Sequence, residues 1–216
     1  MSCQALEDEP LHSSFIMSKM AVAAKAGGAV GIRANSVEDI NEIRKNVDLP
    51  VIGIIKVRYS DSEVFITPSR TEIEELMAAG VDIIAMDATG RLRPGGISLD
   101  HFFGEIRRAY PKQLFMADCS TVEEGVHAEK IGFDIIGTTL AGYTPYTNDV
   151  RLPDFDMIQR LKERVKKPII AEGGIWSGSD LQRVFRSGAF AAVIGTAITR
   201  PQEITKYYVK SIENLG

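Results

Sequence analysis

The feature that most constrains the fold is an alternation of short apolar runs and longer amphipathic stretches that continues along the whole chain. Short apolar runs bounded by turns are typical of strands buried on both faces of a parallel sheet. Seven such runs cover residues 29–32, 51–55, 83–86, 114–117, 135–137, 169–171 and 191–194. An eighth strand is predicted at residues 2–4. This strand is expected to be shorter than the others, because a buried strand would have several apolar residues before Ser2.

Between the apolar runs, apolar residues recur with the spacing of amphipathic helices. Helices are predicted at residues 15–26, 37–46, 71–79, 99–109, 121–131, 154–165, 178–187 and 201–213. Ser36 and Ser98 stand where N-cap residues are expected. Gly80, Gly132 and Gly188 follow helical stretches at positions where a left-handed residue commonly ends a helix.

The first polar or glycine residue after each apolar run recurs at a mean spacing of about 27 residues, which fits one strand and one helix joined by short loops. Eight such units predict a (β/α)₈ barrel that forms one domain from residue 1 to residue 216. An open doubly wound sheet is the alternative, but it usually carries a glycine-rich nucleotide-binding turn. The chain contains neither G-x-G-x-x-G nor G-x-x-x-x-G-K-[ST], and the barrel is therefore favoured.

Composition excludes several classes of protein. The 216 residues include 25 basic and 29 acidic side chains, and the net charge of −4 argues against a nucleic-acid-binding protein. No apolar run approaches the roughly 18 residues of a membrane span. Cys3 and Cys119 do not make a disulfide framework, and so few cysteines suit a reducing compartment. We therefore expect a soluble cytoplasmic protein without a nucleic-acid or membrane partner.

Active sites of (β/α)₈ barrels lie at the C-terminal ends of the strands, where the loops form a common mouth. The loops at residues 57–68 and 141–153 are the longest and are expected to lie over this mouth. The residues that close the eight strands are Gln4, Arg33, Lys56, Asp87, Asp118, Thr138, Glu172 and Gly195. Five of these side chains are ionisable, which is more than packing of the barrel requires and therefore indicates a functional site. Each of the five taken alone would also fit a solvated loop residue or an ion pair at the barrel rim.

The last two strands of such barrels commonly form a phosphate site from loop N–H groups and a helix N-terminus. Gly173 and Gly174 follow the seventh strand, Gly195 and Thr196 follow the eighth, and Arg200 lies just beyond. Glycine lets the backbone approach an anion, and arginine adds a positive charge. The glycine pair alone would also fit a simple tight turn. Because both loops carry the pattern, we predict a phosphate site and hence a barrel of the phosphate-binding type.

No metal site or cofactor is predicted. His12, His101 and His127 do not close strands, and the chain has no H-x-H or H-E-x-x-H pair. Asp87 and Asp118 would suit Mg²⁺ together with a phosphate, which is a weaker alternative.

Motifs along the whole chain resemble the bacterial N-acylglucosamine-6-phosphate 2-epimerase family, which acts on N-acetylmannosamine 6-phosphate. They lie at residues 2–6 (SCQAL), 9–13 (EPLHS), 27–35 (GGAVGIRAN), 50–56 (PVIGIIK), 64–68 (VFITP), 86–89 (MDAT), 116–118 (MAD), 137–144 (GTTLAGYT), 170–173 (IAEG) and 195–201 (GTAITRP). The resemblance implies a cytosolic barrel enzyme of sialic acid breakdown, usually a homodimer. Its expected reaction, which needs no cofactor, interconverts N-acetyl-D-mannosamine 6-phosphate and N-acetyl-D-glucosamine 6-phosphate.

The resemblance also implies roles for individual residues. Lys56 is expected to be the central acid/base and Glu172 its partner. Gln4, Arg33 and Asp118 are expected to bind the sugar. Thr138, which closes the sixth strand, is predicted as a further substrate-binding residue from its place at the mouth. The pKa of a free lysine, about 10.4, would have to fall towards about 7–8 for a base. Burial at the mouth and the positive charge of Arg33 would lower it, whereas an ionised Glu172 would raise it.

Three alternatives stay open from the sequence. Lys56 would also suit a Schiff base with a carbonyl substrate. The chain would also suit another phosphosugar isomerase or lyase on a ribulose-phosphate-binding type of barrel. A non-catalytic phosphosugar sensor is the third alternative.

Overall fold

The computed structural model describes residues 1–213. Its strands are β1 (Ser2–Cys3), β2 (Ile32–Asn35), β3 (Val51–Ile54), β4 (Ile83–Asp87), β5 (Leu114–Asp118), β6 (Ile135–Gly137), β7 (Ile169–Glu172) and β8 (Ala191–Val193). Its helices are α1 (Ser14–Ala26), α2 (Val37–Asn46), α3 (Arg70–Ala79), α4 (Leu99–Ala109), α5 (Val122–Ile131), α6 (Phe155–Arg164), α7 (Gly178–Arg186), α8 (Thr196–Thr199) and α9 (Pro201–Ile212). Residues 214–216, which the predicted domain includes, lie outside the described residues.

The eight strands form one sheet in sequence order, and each strand is parallel to the next. The sheet closes on itself because the Ser2 amide donates to the Ile194 carbonyl at 2.9 Å, just after β8. The Thr199 hydroxyl adds a second link by donating to the Ser2 carbonyl at 3.1 Å. The predicted (β/α)₈ barrel is therefore confirmed.

Most predicted element boundaries agree with the structure to within one residue, but the second strand was placed too early. It was predicted from Ala29 and begins at Ile32. The Ala29 amide still donates to the Ala24 carbonyl at the end of α1, and Val30 is 83% exposed, so the chain joins the sheet only afterwards. Two short elements were not predicted, because one turn is too short to show a period: α8 and a 3₁₀ turn at Pro94–Gly96.

The predicted helix ends are confirmed. The Ser36 hydroxyl accepts from the Asp39 amide at 3.2 Å, and the Ser98 hydroxyl caps α4 in the same way. Gly80 and Gly132 end α3 and α5 with φ of 68° and 104°, in the left-handed region where glycine is not strained.

Two apolar layers hold the barrel together. The larger layer lies between the strands and the surrounding helices. The smaller one fills the barrel interior and consists of Ile54, Ile66, Ala85, Met116, Leu140, Ile170 and Val193. Ile66 belongs to the long loop after β3, and Leu140 lies in the loop after β6. These loops therefore build the apolar floor of the barrel mouth as well as covering it. Among the described residues, no helix is long and apolar enough to cross a membrane.

Phe103 is the centre of the aromatic packing between helices and sheet. Its ring stacks on Phe133 with centroids 3.7 Å apart and lies edge-on to Phe115 at 5.5 Å. All three side chains are fully buried. Aromatic pairs of this kind add to the free energy that area burial supplies.

We expect Phe103→Ala to lower the free energy of unfolding by about 3–5 kcal/mol, because it leaves a cavity among buried rings. The exposed Val30 provides the control, since Val30→Ala should change the free energy of unfolding by less than about 0.5 kcal/mol. Chemical denaturation followed by circular dichroism measures both values. Equal denaturation midpoints for Phe103→Ala and wild type would contradict a contribution of the Phe103 ring to the free energy of unfolding.

Candidate active site

A cavity of about 450 Å³ opens at the C-terminal ends of the strands, and its size suits a small organic ligand. Its wall includes nine of the eleven predicted site residues, namely Gln4, Arg33, Lys56, Glu172, Gly173, Gly174, Gly195, Thr196 and Arg200. Phe65 and Tyr143 reach the wall from the two long loops, as expected for loops over the mouth. One cavity therefore joins the predicted catalytic and phosphate-binding residues.

Asp118 and Thr138 do not reach the cavity wall. Asp118 is fully buried, and Thr138 is 4% exposed with its hydroxyl donating to the Glu172 carbonyl at 3.0 Å. The same hydroxyl accepts from the Glu172 amide at 3.1 Å. Both residues therefore lie one layer behind the wall, and the direct sugar contacts expected of Asp118 and Thr138 stay a prediction. Thr139 lines the cavity instead.

Arg33 is the centre of a buried charge network. Its guanidinium donates to both oxygens of Asp118, with Nη1–Oδ1 at 3.1 Å and Nη2–Oδ2 at 2.6 Å. Nη1 also lies 3.2 Å from Glu172 Oε2. The Arg33 side chain is only 1% exposed, so it interacts with these carboxylates at low dielectric, where ion pairs are strong. One cation thus lies between two carboxylates beneath the cavity.

Glu172 has the environment of a proton-transfer group. Burial raises the pKa of its carboxyl, and the negative charge of Asp118 raises it further, whereas Arg33 and Lys56 lower it. The net direction is upward. A carboxyl of this kind can hold a proton closer to neutral pH than an exposed glutamate can.

The loop after β3 fixes the backbone of Lys56. The Lys56 amide donates to Asn35 Oδ1 at 2.8 Å, and Lys56 forms an antiparallel bridge with Ile66. Thr67 follows with φ of 47°, an uncommon conformation for a residue with a side chain. Its hydroxyl donates to the Ala85 carbonyl at 2.7 Å, which holds this turn against β4. These hydrogen bonds thus hold the loop, and the backbone of Lys56 with it, in one position.

The Lys56 side chain differs from the other charged groups of the wall. Among residues 1–213 its ammonium has no hydrogen-bond or ion-pair partner, although Glu172 and Arg33 belong to the same wall. Burial lowers the pKa of Lys56 to about 8, and the positive charge of Arg33 contributes. A free amine with such a pKa can accept a proton near neutral pH.

Asp87 was a strand-end candidate, and the structure places it outside the cavity. Its carboxylate accepts from Thr89 and pairs with Arg91 at 2.6 Å. The neighbouring Arg93 is fully buried and donates to the carbonyls of Thr67 and Pro68. These residues hold the loop that carries Lys56, which is the rim ion-pair role considered for Asp87. Within residues 1–213, no group of three His, Cys, Asp or Glu side chains is arranged to hold a metal ion.

The predicted phosphate-binding residues lie together at one side of the cavity. Gly174 has φ of 68°, and a Cβ there would lie 2.3 Å from the Cβ of Leu152, so the turn requires glycine for packing as well as for any ligand. Arg200 already has a partner. Its guanidinium binds the Glu9 carboxylate through two nitrogens, with Nε–Oε2 at 3.0 Å.

Glu9 and Thr139 were missed as site residues. The sequence rule took the first polar or glycine residue after each strand, which selects one residue per strand. β6 ends at Gly137, so the side chain of Thr138 turns towards the backbone of β7 and that of Thr139 enters the cavity. Glu9 is in a motif of the chain, but no local pattern shows that it meets Arg200, 191 residues away.

The low pKa of Lys56 predicts a stability gain on removing its charge. Below about pH 8 the amine is charged in both the folded and the unfolded chain, so the folded state carries the full desolvation cost. Between about pH 8 and the ordinary pKa of 10.5 the folded protein loses this proton first, and the cost fades as pH rises. Lys56→Met should therefore raise the free energy of unfolding by roughly 1–3 kcal/mol at pH 7.

The same difference should vanish by about pH 10.5 when denaturation curves of Lys56→Met and wild type are compared at several pH values. Lys112 is exposed and serves as the control, because Lys112→Met should change the free energy of unfolding at pH 7 by less than about 0.5 kcal/mol. If Lys56→Met raises the free energy of unfolding by the same amount at every pH from 7 to 10.5, the lowered pKa of Lys56 is contradicted.

Comparisons with known proteins show which family this sequence and this fold resemble. The family model described as "Putative N-acetylmannosamine-6-phosphate epimerase" matches residues 17–214. A protein of Caldanaerobacter subterraneus named "Putative N-acetylmannosamine-6-phosphate 2-epimerase" is 54% identical over 213 residues, covering 99% of this chain and 90% of its own. A protein of Borreliella burgdorferi with the same name is 55% identical over 218 residues, covering 100% of this chain and 94% of its own.

A solved structure is also similar to this chain in sequence and in fold. It is that of the N-acetylmannosamine-6-phosphate 2-epimerase from Clostridium perfringens, with a TM-score of 0.93 and 50% identity. The match covers 97% of this chain and 91% of the other. This chain belongs to the N-acetylmannosamine-6-phosphate epimerase family.

Proposed function

We propose that this protein is a cofactor-independent 2-epimerase that interconverts N-acetyl-D-mannosamine 6-phosphate and N-acetyl-D-glucosamine 6-phosphate. One observation carries the proposal: a lysine with a lowered pKa lies free in the cavity beside a carboxyl with a raised pKa, in a chain of the epimerase family. We assign the reaction to the breakdown of sialic acid.

The chemistry requires that a proton leave C2 and return to the opposite face. Once the sugar ring is open, the C1 aldehyde makes the C2 proton acidic, because the resulting negative charge is shared with the aldehyde oxygen. A base for C2, an acid for the other face and a stabiliser for the oxygen are then needed. Two groups that exchange protons near neutral pH suffice for the first two roles.

Lys56 is the base in this proposal. Its pKa of about 8 leaves part of the amine neutral at physiological pH, and no partner among residues 1–213 occupies it. Once protonated, it can return the proton to C2. The contacts with Asn35 and Ile66 hold the backbone of Lys56 at the mouth, which limits the positions that its amine can take.

Glu172 supplies the second proton transfer, at the ring oxygen or at the opposite face of C2. Arg33 lies in the same wall and is suited to stabilise the developing oxygen charge. Gln4 is suited to bind a sugar hydroxyl or amide, since its Oε1 is buried without a partner among the described residues while its Nε2 donates to Ser2. Asp118 acts from behind the wall by holding Arg33.

The phosphate binds, in this proposal, between the loops after β7 and β8, with Gly173, Gly174, Gly195 and Thr196 offering backbone N–H groups and Arg200 offering charge. Arg200 has further N–H groups beyond those that hold Glu9. Phosphate binding at this end supplies energy remote from C2 and orients the reacting carbon towards Lys56.

We also propose that residues 1–216 form one domain and that the protein works in the cytoplasm. Cys3 and Cys119 support that location, since both are free and buried, and such thiols persist most readily in a reducing compartment.

Proton NMR of N-acetylmannosamine 6-phosphate in heavy water tests the function. We expect the C2 proton signal to disappear as deuterium enters and the signals of N-acetylglucosamine 6-phosphate to grow. Conversion without exchange at C2, or no conversion, would contradict proton transfer to and from the solvent-exchangeable groups of the site.

Variants of the two proton-transfer residues complete this test. Lys56→Ala and Glu172→Gln should each lower kcat at least about 100-fold, as expected for residues in general acid/base catalysis, while the fold persists. Lys112→Met provides the matched surface control. Borohydride with substrate present distinguishes the alternative chemistry: a trapped lysine adduct would indicate a Schiff base and contradict simple proton transfer.

A homodimer is the proposed assembly, and α9 supports it. None of the twelve residues of this helix is buried, and Tyr208 and Ile212 are 65% and 63% exposed on one face. An apolar helix face of this kind is commonly covered by another protein surface.

Light scattering after size-exclusion chromatography tests the assembly. We expect a mass of two chains for the wild type and of one chain for the double variant Tyr208→Glu/Ile212→Glu, because charges in an apolar interface are not solvated. The control is Lys206→Glu on the same helix, which should remain dimeric. A wild type with the mass of one chain would contradict the homodimer.

A further inference from the structure

The hydroxyl of Thr139 contacts the same two carboxylate oxygens as Arg33 Nη1. Thr139 Oγ1 lies 2.7 Å from Asp118 Oδ1 and 3.2 Å from Glu172 Oε2. Arg33 Nη1 lies 3.1 Å and 3.2 Å from those two oxygens. The two oxygens are therefore bridged twice, once by a guanidinium nitrogen and once by a hydroxyl.

The two bridging groups differ in the protons that they offer. Arg33 only donates, and its charge does not change. A hydroxyl has a single proton and also accepts. Thr139 can therefore donate to only one carboxylate at a time, and the other contact is favourable only in a particular protonation state of that carboxyl.

Two arrangements give Glu172 a hydrogen bond with the Thr139 hydroxyl, one for each protonation state of the carboxyl. When Glu172 is ionised, the Thr139 hydroxyl donates to Glu172 Oε2, and Asp118 keeps its two bonds from Arg33. When Glu172 is protonated, its own O–H donates to Thr139 Oγ1, and the hydroxyl turns to donate to Asp118 Oδ1. Rotation about the Cβ–Oγ1 bond interconverts the two states. In the first state the 2.7 Å contact between Thr139 Oγ1 and Asp118 Oδ1 lengthens, because no proton then lies between these two oxygens.

We propose that Thr139 is a positioning residue whose hydroxyl turns between Asp118 and Glu172 as Glu172 loses and gains its proton. The proposal rests on the proposed function, in which Glu172 exchanges protons during turnover. Through this rotation, Glu172 Oε2 has a hydrogen bond with Thr139 in each protonation state.

The surroundings of Glu172 require such a partner. Its carboxyl is largely buried, with a side-chain exposure of 15%, and burial raises its pKa while the bond from Thr139 lowers it. Without the hydroxyl, ionised Glu172 would keep Arg33 but lose one donor. A buried acceptor without its donor is costly, so the ionised form would become rarer.

Thr139→Val tests the proposal, since valine keeps the shape and removes the hydroxyl. We expect kcat to fall about 10- to 100-fold, the range that a hydrogen bond to a charged group supplies. The acidic limb of the kcat–pH profile should move to higher pH, because ionised Glu172 has lost a donor. Thr139→Ser retains the hydroxyl and should restore most of kcat and the position of the limb.

A second measurement does not depend on turnover. Carbon NMR of protein labelled at glutamate carboxyls, with the Glu172 signal assigned by its absence in Glu172→Gln, follows the titration of this group. Thr139→Val should raise the midpoint by about one pH unit. The control is Thr138→Val. Among residues 1–213 the Thr138 hydroxyl contacts the Glu172 backbone and no carboxylate, so this variant should leave the midpoint in place.

The outcomes are distinct. A Thr139→Val enzyme with the wild-type kcat and Glu172 midpoint would overturn the proposal, and so would a variant that changes only KM, which indicates a substrate contact. An equal midpoint shift in Thr138→Val would also overturn it. A wild-type protein that shows no epimerisation contradicts the proposed function instead, and the carboxyl titration then still decides whether the hydroxyl serves Glu172.

Discussion

The buried ion pair of Arg33 and Asp118 is the interaction on which the site depends. Arg33 extends from β2 into the barrel and meets Asp118 from the opposite part of the sheet, 85 residues further along the chain. Two charges buried together are expensive to desolvate, and each must be well bonded to be tolerated. The geometry meets this demand through two parallel bonds. Consequently the positive charge of Arg33 stays in one place and lowers the pKa of both Glu172 and Lys56.

The environment brings the pKa values of Glu172 and Lys56 closer together. Burial disfavours charge on both, so it raises the pKa of Glu172 and lowers that of Lys56. Arg33 acts on both as well, lowering each pKa. An acid and a base with values closer together than those of free side chains can exchange protons with a substrate in both directions, as a reversible epimerisation requires.

The sequence predicts the barrel and most of the cavity wall for physical reasons. Buried parallel strands need continuous apolar runs, so the residue that ends each run, such as Lys56 or Glu172, marks the mouth. The rule fails where local geometry decides which way a side chain turns. Thr138 and Thr139 are identical in type, and only the end of β6 at Gly137 separates their directions. Asp118 closes its strand as predicted, but it pairs with Arg33 behind the cavity wall, which no local pattern shows.

The pairing of Glu9 with Arg200 has a consequence for the order of assembly during synthesis. It joins the segment after the first strand to the segment after the last strand, 191 residues apart, beside the Ser2 contacts that close the sheet. Contacts of such long range form only when the intervening chain is already ordered. A growing chain on the ribosome therefore has no complete cavity wall until its final unit has emerged, because Gly195, Thr196 and Arg200 of that unit line the cavity.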